Sequence, residues 1–456
     1  MERYDIVVIG GGPAGLMAAG SAAGKGCSVL LLEKMDRCGR KLSITGKGRC
    51  NLTNTKEWSE FSSHIYPQPD FFRPAFWNFS NQALIQFLGS IGVETVVERG
   101  DRVFPACQDA RSVTEALVQW VKSQGVNIYN EAHVHHFEAQ ADMSNVHNEV
   151  RTDTSDVHIE AQADVSEVKD GCDEKRIHSI HYARNGKICK VVAGAVILAT
   201  GGCSYPATGS TGEGYALAES TGHTLTPRFP SLTALMPQKY DVRLYGVSLN
   251  NVRLMLTVNG KTVLEEFGEV AFSDLGIEGP LGLRLSRNAV AAMRQGAKVS
   301  VVLNLKPALS YTQLAGRLQR ECVAFENELL KHFLKRYLPY NLIISFISAT
   351  SLAPSIKISL LSDNNKLELI KQLQYWVFPI EQYGGFERAV VTAGGVSLKE
   401  VQKKDLRSKM NRNLFFAGEV LDLDGDTGGY NLQIAFSTGV LAGTKAAETI
   451  LKRSVV

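Results

Sequence analysis

Hydrophobic residues near the start of the chain fall into two short runs separated by a segment of small residues. The first run covers residues 6–9, alanine and glycine dominate residues 11–24, and the second run covers residues 29–32 and ends at Glu33. Short apolar runs of this length are typical of buried parallel strands, and a helix of small residues packs closely on a sheet. The pattern predicts a strand–helix–strand unit over the first 33 residues.

The next part of the chain carries weaker periodic signals. Residues 82–88 have helical spacing with Leu84, Ile85 and Leu88 on one face, residues 94–98 read as a strand, and residues 112–122 read as a second amphipathic helix. Residues 177–183 and 187–192 flank the dipeptide Asn185-Gly186, which predicts a β-hairpin. The apolar run over residues 191–199 predicts a buried strand that ends in a glycine turn.

The periodicity changes twice more along the chain. Residues 228–305 alternate in short strands and turns, including a hairpin signal at Asn259-Gly260. From about residue 307 to 364 the spacing becomes helical, with a predicted stripe of Leu314, Leu318, Phe325, Leu329 and Phe333. We therefore predict an α/β fold: a discontinuous Rossmann-like domain over residues 1–222 and 388–456, an inserted β-rich domain over 223–306 and 365–387, and a helical subdomain over 307–364.

An acidic segment interrupts the first of these domains. Phe137-Glu-Ala-Gln-Ala-Asp-Met-Ser-Asn-Val recurs with small changes 22 residues later, starting at Ile159, and residues 138–175 hold 11 acids against 3 bases. Two copies are fewer than a solenoid requires. The segment over residues 137–175 is expected to be a duplicated surface insertion, either an extended hairpin or a mobile loop.

Composition narrows the class of protein. The 456 residues exceed what one core supports, and 49 Lys and Arg balance 46 Asp and Glu, so charge does not indicate a nucleic-acid partner. The 8 cysteines are dispersed without a C-x-x-C pair, which fits neither a zinc knuckle nor a disulfide framework and favours reduced thiols. Pro13 and the glycines disrupt the helix that a signal peptide needs, and no other apolar run is long enough to span a bilayer. We expect a cytoplasmic protein without a membrane partner.

The turn after the first strand carries the first chemistry. Gly10, Gly12 and Gly15 form a G-x-G-x-x-G pattern, and Glu33 follows at the end of the next strand. In this arrangement the first glycine permits a tight turn, the second lets the backbone approach a pyrophosphate, and the third allows close helix packing. The free N–H groups of the helix would hold the pyrophosphate, and the acid would accept hydrogen bonds from ribose hydroxyls. The sequence therefore predicts a dinucleotide site.

Two patterns suggest metals without predicting them. His133 and His135 share one face of a predicted strand, but no third ligand is identifiable, so a polar strand end is the preferred interpretation. Asp422, Asp424 and Asp426 resemble the start of a calcium loop, but Thr427 and Gln433 stand where that loop needs Gly and Glu. We predict no metal site.

Several motifs together resemble the BaiN/aminoacetone-oxidase-like FAD-dependent flavoproteins, within the two-dinucleotide-binding-domain superfamily. They are Gly39-Arg-Lys, Gly48-Arg-Cys-Asn-Leu-Thr-Asn54, Ala199-Thr-Gly-Gly-x-Ser-Tyr-Pro-x-Thr-Gly-Ser210, Val391-Thr-Ala-Gly-Gly-Val396, Gly418-Glu-Val-Leu-Asp and Gly428-Gly-Tyr-Asn-Leu-Gln433. Lys47 departs from the glycine usual in the second motif, and the duplicated segment lies outside the match. The resemblance implies FAD, with its flavin on the last strand and helix. The cofactor-binding residues it implies are Gly10, Gly12, Pro13, Ala14, Gly15, Glu33, Lys34, Arg40, Lys41, Arg49, Cys50, Thr200, Gly201, Gly202, Gly418, Glu419, Gly429, Asn431 and Gln433.

The resemblance also implies an FAD-dependent oxidoreductase that passes a hydride between a small organic substrate and the flavin. Members of the family are associated with amine oxidation and with steroid or bile-acid reduction, so the substrate stays open. Arg49, Asn51, Tyr205 and Tyr430 lie in the predicted flavin-side loops and are candidates to orient a substrate or only to fix a loop. NAD(P)H is a possible transient electron donor, since only one full nucleotide fingerprint is present.

Two further interpretations remain open. A disulfide reductase would use Cys50 or Cys203, although the close cysteine pair usual next to the flavin is missing. A flavin-dependent RNA-modification factor, or a non-catalytic flavin-binding interaction protein, would use the acidic insertion as a docking element.

Overall fold

The computed structural model describes residues 2–141 and 175–453. The strands are β1 (Glu2–Ile9), β2 (Val29–Leu32), β3 (Thr53–Asn54), β4 (Ile65–Tyr66), β5 (Thr95–Glu98), β6 (Arg102–Pro105), β7 (Asn127–Tyr129), β8 (His133–Ala141), β9 (Lys175–Arg184), β10 (Lys187–Leu198), β11 (Phe229–Ser231), β12 (Leu235–Pro237), β13 (Ser248–Val258), β14 (Lys261–Ser273), β15 (Gly276–Glu278), β16 (Val299–Asn304), β17 (Trp376–Tyr383), β18 (Val391–Ala393), β19 (Leu414–Phe416) and β20 (Asp424–Gly425). The α-helices are α1 (Pro13–Ala23), α2 (Trp58–Phe61), α3 (Pro69–Asn78), α4 (Asn81–Ser90), α5 (Ala110–Ser123), α6 (Glu213–Ser220), α7 (Gly279–Arg294), α8 (Tyr311–Ala324), α9 (Leu330–Phe333), α10 (Tyr340–Ser348), α11 (Asp363–Gln374) and α12 (Tyr430–Arg453). Short 3₁₀ helices cover Leu42–Gly48, Ser62–His64, Pro206–Thr208, Val242–Leu244, Leu334–Arg336, Ile358–Leu360, Leu398–Glu400 and Gly418–Val420.

A seven-stranded sheet organises the nucleotide-binding half of the chain. Its order is β7-β2-β1-β10-β9-β8, and β19 pairs with the carboxyl end of β10. β1 runs parallel to β2 and β10, and β10 runs parallel to β19, so the carboxyl ends of these strands meet at one edge. Parallel strands buried on both faces read as continuous apolar runs, which is why the predicted strand–helix–strand unit is confirmed. The edge where the strands end is where an open α/β sheet binds its ligand.

The antiparallel end of this sheet carries the predicted hairpin. Arg184 pairs with Lys187 around the Asn185-Gly186 turn, and Asn185 and Gly186 both have positive φ, as a type I′ turn requires. The helices predicted over residues 82–88 and 112–122 are also present, as α4 and α5. The predicted acidic insertion over residues 137–175 falls mostly on residues 142–174, which lie outside the described residues. The strands on its two sides, β8 and β9, pair with each other in antiparallel register.

The inserted β-rich region forms a closed barrel in the order β12-β15-β14-β13-β16-β17. Its longest hairpin, β13–β14, turns at the predicted Asn259-Gly260, with Val258 opposite Lys261. β17 is contributed by residues after the helical segment and closes the barrel between β12 and β16. Closing the sheet leaves these strands without a free edge.

Two hydrophobic cores form in the described part of the chain. One unites the seven-stranded sheet with α1, α5 and α12, and the other lies inside the barrel. The helices α8 to α11 add Leu318, Phe333, Phe346 and Leu373, respectively, to the barrel core. The single helical stripe expected from Leu314 to Phe333 is wrong, because α8 ends at Ala324 and Leu329 precedes α9. The domain boundaries themselves stay predictions.

Two helices carry the contacts that position the site. α1 and α12 pack against each other through glycines, since a Cβ on Gly443 would lie 2.2 Å from the Ala18 carbonyl oxygen. The amino ends of both helices therefore approach the carboxyl edge of the sheet together. Among the described residues, no helix is both long and apolar enough to cross a membrane.

Candidate functional site

The glycine turn after β1 forms an open cradle. Gly10 has φ +101° and its N–H donates to the Leu32 carbonyl at 2.8 Å, which sets the tight turn. A Cβ on Gly15 would lie 1.8 Å from the Gly10 carbonyl oxygen, so this position must be glycine for the helix to pack. A Cβ on Gly12 would meet no protein atom within 4 Å. The space in front of Gly12, at the amino end of α1, is therefore free for a ligand.

The acid that follows β2 is fixed by backbone donors. Oε2 of Glu33 accepts a hydrogen bond from Gly11 N–H at 2.7 Å, and Oε1 accepts one from Met35 N–H at 2.8 Å. Burial raises the pKa of Glu33, and these two hydrogen bonds oppose that shift. Each carboxylate oxygen retains acceptor capacity for a ribose hydroxyl. Glu33 can therefore accept hydrogen bonds from a ribose, as predicted, while it also holds the glycine turn through Gly11 N–H.

A second helix terminus completes the cradle from the other end of the chain. Gly428, Gly429, Asn431 and Leu432, at the amino end of α12, line the same cavity as Gly12. Gly429 has φ +98°, and a Cβ there would lie 2.4 Å from the Thr53 backbone. Free N–H groups and the helix dipole favour negative charge at both termini.

An ion pair joins these two regions. Lys41 Nζ lies 2.8 Å from Glu419 Oε2, and both side chains are about four-fifths buried. The other oxygen, Oε1 of Glu419, accepts a hydrogen bond from Thr392 N–H at 2.8 Å. The pair therefore fixes the loop after β2 to the loop after β19.

A polar network of Lys34, Thr211, Glu213 and His133 lines another part of the same cavity. Lys34 Nζ donates to Thr211 Oγ1 at 2.5 Å and lies 3.0 Å from Glu213 Oε2. His133 Nε2 lies 2.7 Å from the same Glu213 oxygen, and the rings of His133 and His135 are 4.2 Å apart. Within residues 2–141 and 175–453, no group of three or more His, Cys, Asp or Glu side chains could hold a metal ion. His133 is thus paired with a carboxylate at the end of its strand.

One continuous cavity of about 760 Å³ connects all of these groups. This volume lies in the range of pockets that hold cofactors and substrates. The nucleotide-binding side contributes Gly10, Gly12, Glu33, Thr200 and Glu419, and the barrel side contributes Ser248, Glu269, Ala271, Glu278, Pro280 and Leu283. The cavity therefore extends from the fingerprint turn to the inserted domain.

The structure brings most predicted cofactor residues to this cavity. Those that line it are Gly10, Gly12, Pro13, Ala14, Glu33, Lys34, Arg40, Lys41, Arg49, Thr200, Gly201, Glu419, Gly429 and Asn431. Those that do not are Gly15, Cys50, Gly202, Gly418 and Gln433. The residues that do not line the cavity pack behind those that do, and they hold the backbone of the cavity wall in place.

Gln433 and Gly418 illustrate that supporting role. Thr53 Oγ1 donates to Gln433 Oε1 at 2.6 Å, and Gln433 Nε2 donates to the Phe79 carbonyl at 3.0 Å. Gly418 N–H donates to Thr438 Oγ1 at 2.9 Å. Both residues anchor the amino-terminal half of α12 rather than face the cavity.

Cys50 is another predicted cofactor residue that the fold buries. It is fully buried, and burial raises the pKa of its thiol to about 12. Neither Cys50 nor Cys203 lines the cavity. A disulfide-reductase mechanism would therefore have no described thiol in contact with the cavity.

Three of the four predicted substrate-orienting residues line the cavity: Arg49, Asn51 and Tyr205. The Arg49 guanidinium lies 4.3 Å from the Phe104 ring centre, pairs with Glu98 and donates to Gln108 Oε1 at 2.5 Å. With its amide oriented to satisfy both partners, Asn51 accepts from Gly429 N–H at 3.2 Å. These contacts fix the loop while leaving the residues at the cavity wall.

The fourth candidate, Tyr430, does not reach the cavity. Its ring is 3% exposed, stacks on His64 at 4.5 Å and meets the edge of Phe61 at 4.7 Å. Its ring contacts agree with the alternative that Tyr430 only fixes a loop, and a role in orienting a substrate stays a prediction.

Sequence reasoning missed the cavity residues that come from the inserted domain. Glu269 and Glu278 line the cavity without belonging to any recognisable motif, and so does Arg388 at the start of the second Rossmann-like segment. Asp426 also lines it, 2.8 Å from His64, although the sequence considered this acid only as a calcium ligand. The one available signal was its position two residues before the Gly428-Gly429 turn.

The fit of these residues to FAD rests on the open space at Gly12, on the two helix termini and on the fixed acid Glu33. Together they offer N–H donors to a diphosphate and a carboxylate to a ribose. The dinucleotide prediction from the sequence therefore agrees with the geometry.

Comparison with known proteins is consistent with this geometry. A family model described as HI0933-like protein Rossmann domain matches residues 4–155 and 143–445. The 3-dehydro-bile acid delta(4,6)-reductase of Clostridium scindens is 29% identical over 445 residues, covering 97% of this chain and 99% of that protein. The ribosomal RNA dihydrouridine synthase of Escherichia coli K12 is 26% identical over 443 residues, covering 96% of each. The 3-ketosteroid delta1-dehydrogenase of Sterolibacterium denitrificans shares the fold, with a TM-score of 0.54, 13% identity, and coverage of 98% of this chain and all of that chain.

Proposed function

This chain belongs to the HI0933-like family of Rossmann-domain proteins and is an FAD-dependent oxidoreductase. We propose that it reduces a carbon–carbon double bond that is conjugated to a carbonyl in a small organic substrate. The reaction adds a hydride to the carbon farther from the carbonyl and a proton to the carbon next to it.

The names of the two curated relatives support this chemistry. A delta(4,6)-reductase of a 3-dehydro-bile acid and a dihydrouridine synthase both add two hydrogens across a double bond in conjugation with a carbonyl. The shared reaction is thus narrower than oxidoreduction in general, while the substrates differ greatly in size.

The observation that carries the proposal is the continuity of the cavity between two separate cores. Its inserted-domain side presents the apolar groups Leu232, Pro280 and Leu283, and its sheet side presents Leu423. A compact apolar substrate would be enclosed there, beside the amino end of α12. Enclosure excludes water, which strengthens every polar interaction with the substrate.

The chain's own residues supply position and polarity. FAD, when bound, supplies the hydride. The amino ends of α1 and α12 would hold the negatively charged parts of the cofactor, and Glu33 would orient a ribose. Arg49, Asn51 and Tyr205 are proposed to orient the substrate or its carbonyl from the cavity wall. Arg388 adds a further donor there.

A nicotinamide is the proposed electron donor, bound transiently rather than on a domain of its own. Anaerobic mixing of the purified protein with NADH and, separately, NADPH tests this. Bleaching of the flavin absorbance by either nucleotide would support the proposal, and a flavin that bleaches only with dithionite would exclude it.

The substrate class is tested by mixing photoreduced holoenzyme with three acceptors. A cyclic enone should reoxidise the flavin within one turnover, whereas its saturated ketone should not. A uridine-containing ribosomal RNA fragment is the third acceptor. Reoxidation by the RNA and not by the enone would replace the small-molecule proposal with RNA modification.

RNA modification is the second candidate because the dihydrouridine synthase match covers 96% of both chains. The nearly balanced charge of this chain does not favour an RNA surface. Electrophoretic retardation of the same RNA fragment at physiological salt would count for this candidate.

A further inference from the structure

Asp426 occupies a distinctive position in the cavity wall. It follows β20 directly and precedes Gly428 and Gly429, whose backbone lines the cavity at the amino end of α12. Asp426 itself lines the cavity, and its side chain is only 8% exposed. A carboxyl group is therefore present where a substrate beside the end of α12 would be enclosed.

A histidine lies directly behind this carboxyl group. His64 Nδ1 is 2.8 Å from Asp426 Oδ2, and Asp426 N–H donates to the His64 carbonyl at 3.0 Å. The short pairing of β4 with β20 sets this register, with Tyr66 opposite Asp424. The two residues are thus held together by both side chain and backbone.

His64 also connects the carboxyl group to solvent. Its side chain is 22% exposed, and its ring stacks on Tyr430 with a 26° angle between planes. Histidine is the side chain whose charge ordinarily changes between pH 5 and 8, so it suits proton exchange with water. A path for a proton therefore runs from solvent through His64 to Asp426.

The neighbouring acid Asp424 has a different role. Arg287 donates to it at 2.7 and 3.0 Å, and Ser231 Oγ donates at 3.2 Å. A guanidinium thus matches the charge of Asp424, whereas the side chain 2.8 Å from the Asp426 carboxyl is a histidine, which is charged only when protonated. Residues two apart in a strand share a face, but β20 ends at Gly425, and Asp426 contacts His64, the residue before β4, instead of Arg287.

The other groups around the pair are poor proton donors at neutral pH. Burial raises the pKa of Tyr66 to about 12, with the carboxylate of Asp426 adding to the shift. Burial also raises the pKa of Tyr430 above its usual range. The remaining charged groups that act on the pair or on these two tyrosines are Glu60, Asp101, Arg284, Asp424 and Arg287.

We propose that Asp426, with His64 behind it, is the acid that delivers the proton to the carbon next to the substrate carbonyl. This inference rests on the proposed function. A bound, reduced cofactor would supply the hydride to the far carbon of the double bond. The π electron pair moves toward the carbonyl and returns to the near carbon, which takes its proton as the O–H bond of the Asp426 carboxyl breaks. Water then returns a proton to the pair through His64. The two electrons come from the nicotinamide that reduces the cofactor.

The test compares Asp426→Asn and His64→Gln with a matched control. Glu138→Gln changes a carboxylate that also faces a histidine, His181 at 3.5 Å, but on the sheet edge away from the cavity. Two rates are measured on the holoenzyme: reoxidation of the photoreduced flavin by 2-methylcyclohex-2-enone, and exchange of the hydrogens next to the carbonyl of 2-methylcyclohexanone with D₂O, followed by NMR. FAD affinity and melting temperature are recorded for every variant.

Asp426→Asn should slow both rates by about 10²- to 10⁴-fold, the usual contribution of a general acid or base. His64→Gln should slow them less, because the carboxyl group stays in place while its route to solvent is lost. Glu138→Gln should change neither rate, and FAD affinity should stay the same throughout. Wild-type rates in Asp426→Asn with FAD bound would overturn the inference.

The exchange assay separates this inference from the proposed function, because exchange needs no electron transfer. Wild-type exchange that is lost in Asp426→Asn supports the acid even if the enone fails to reoxidise the flavin, and that failure would count against the proposed reduction alone. If Asp426→Asn loses FAD, the Asp426→Glu variant tests the inference instead. Hydrogen exchange in Asp426→Glu supports a carboxylic acid as the proton donor, and absent exchange in an Asp426→Glu protein that holds FAD overturns the inference.

Discussion

Lys41 and Glu419 are 378 residues apart in the chain, and their charged groups meet at 2.8 Å in the wall of the cavity. The contact joins the loop after β2 to the loop after β19, which precedes the last helix, α12. An ion pair of two largely buried side chains therefore helps to hold together a site that is built from both ends of the chain.

Lys41→Met or Glu419→Gln should weaken FAD binding by about 1–2 kcal/mol, between the values typical of exposed and of fully buried pairs. That corresponds to roughly a tenfold rise in the Kd for FAD. Fluorescence titration of the apoprotein measures it, and the double variant should lose less than the sum of the single losses. Arg253→Met, which breaks a barrel ion pair at 2.8 Å outside the cavity, is the control and should leave the Kd unchanged. Additive losses at Lys41 and Glu419 would contradict the coupling.

The two fingerprint glycines should fail in different ways. Gly12→Val should fold with a free energy of unfolding within about 0.5 kcal/mol of wild type, because its side chain enters empty space, yet bind FAD at least about tenfold more weakly. Gly15→Ala should destabilise the apoprotein by about 1–3 kcal/mol or more, because its Cβ meets the Gly10 carbonyl. Denaturant unfolding of the two apoproteins and FAD titration of Gly12→Val measure these effects. Equal FAD binding in wild type and Gly12→Val would place the cofactor elsewhere.

The local part of this site was predictable and the rest was not. The glycine turn with Glu33 and the two Asn-Gly hairpins depend on residues adjacent in sequence, so their patterns carry the information. The meeting of Lys41 with Glu419, and the barrel residues Glu269 and Leu283 in the cavity, depend on how distant segments pack. Tyr430 shows the same limit, since nothing local indicates that its ring turns toward Phe61.

Stability should fall in mild acid because of one buried histidine. His223 is 3% exposed, hydrogen-bonds Ser408 and Thr221, and has a pKa lowered by burial. An unfolded histidine takes up a proton near pH 6.5, whereas the folded His223 takes one up only at lower pH. The stability that neutral His223 contributes is therefore fully present above about pH 6.5 and is lost as the pH falls toward the folded pKa.

The melting temperature of the wild type should therefore drop more steeply below pH 6.5 than that of His223→Gln. The variant should itself be about 1–3 kcal/mol less stable at pH 7.5, since it leaves buried partners unpaired. Parallel slopes for the two proteins would remove His223 as the cause.

Cys50 should be chemically silent in the folded protein. Because burial raises the pKa of its thiol to about 12, iodoacetamide at pH 8 should label the exposed Cys107 first and reach Cys50 only on unfolding. Peptide mass spectrometry gives the order of labelling. Cys50→Ala should keep both FAD and turnover, and a variant that keeps FAD but loses turnover would revive the disulfide-reductase interpretation.

The central claim is that cofactor and substrate share the cavity between the sheet core and the barrel core. A substitution that fills only the barrel end of this cavity tests the claim most directly. Leu283, on α7, lines that end. In Leu283→Trp, stopped-flow reoxidation of the photoreduced flavin by a cyclic enone should slow by about 10²-fold, since small displacements of a substrate cost this much. FAD affinity and reoxidation by oxygen should stay at wild-type values. Unchanged reoxidation by the enone in a variant that holds FAD would contradict the account.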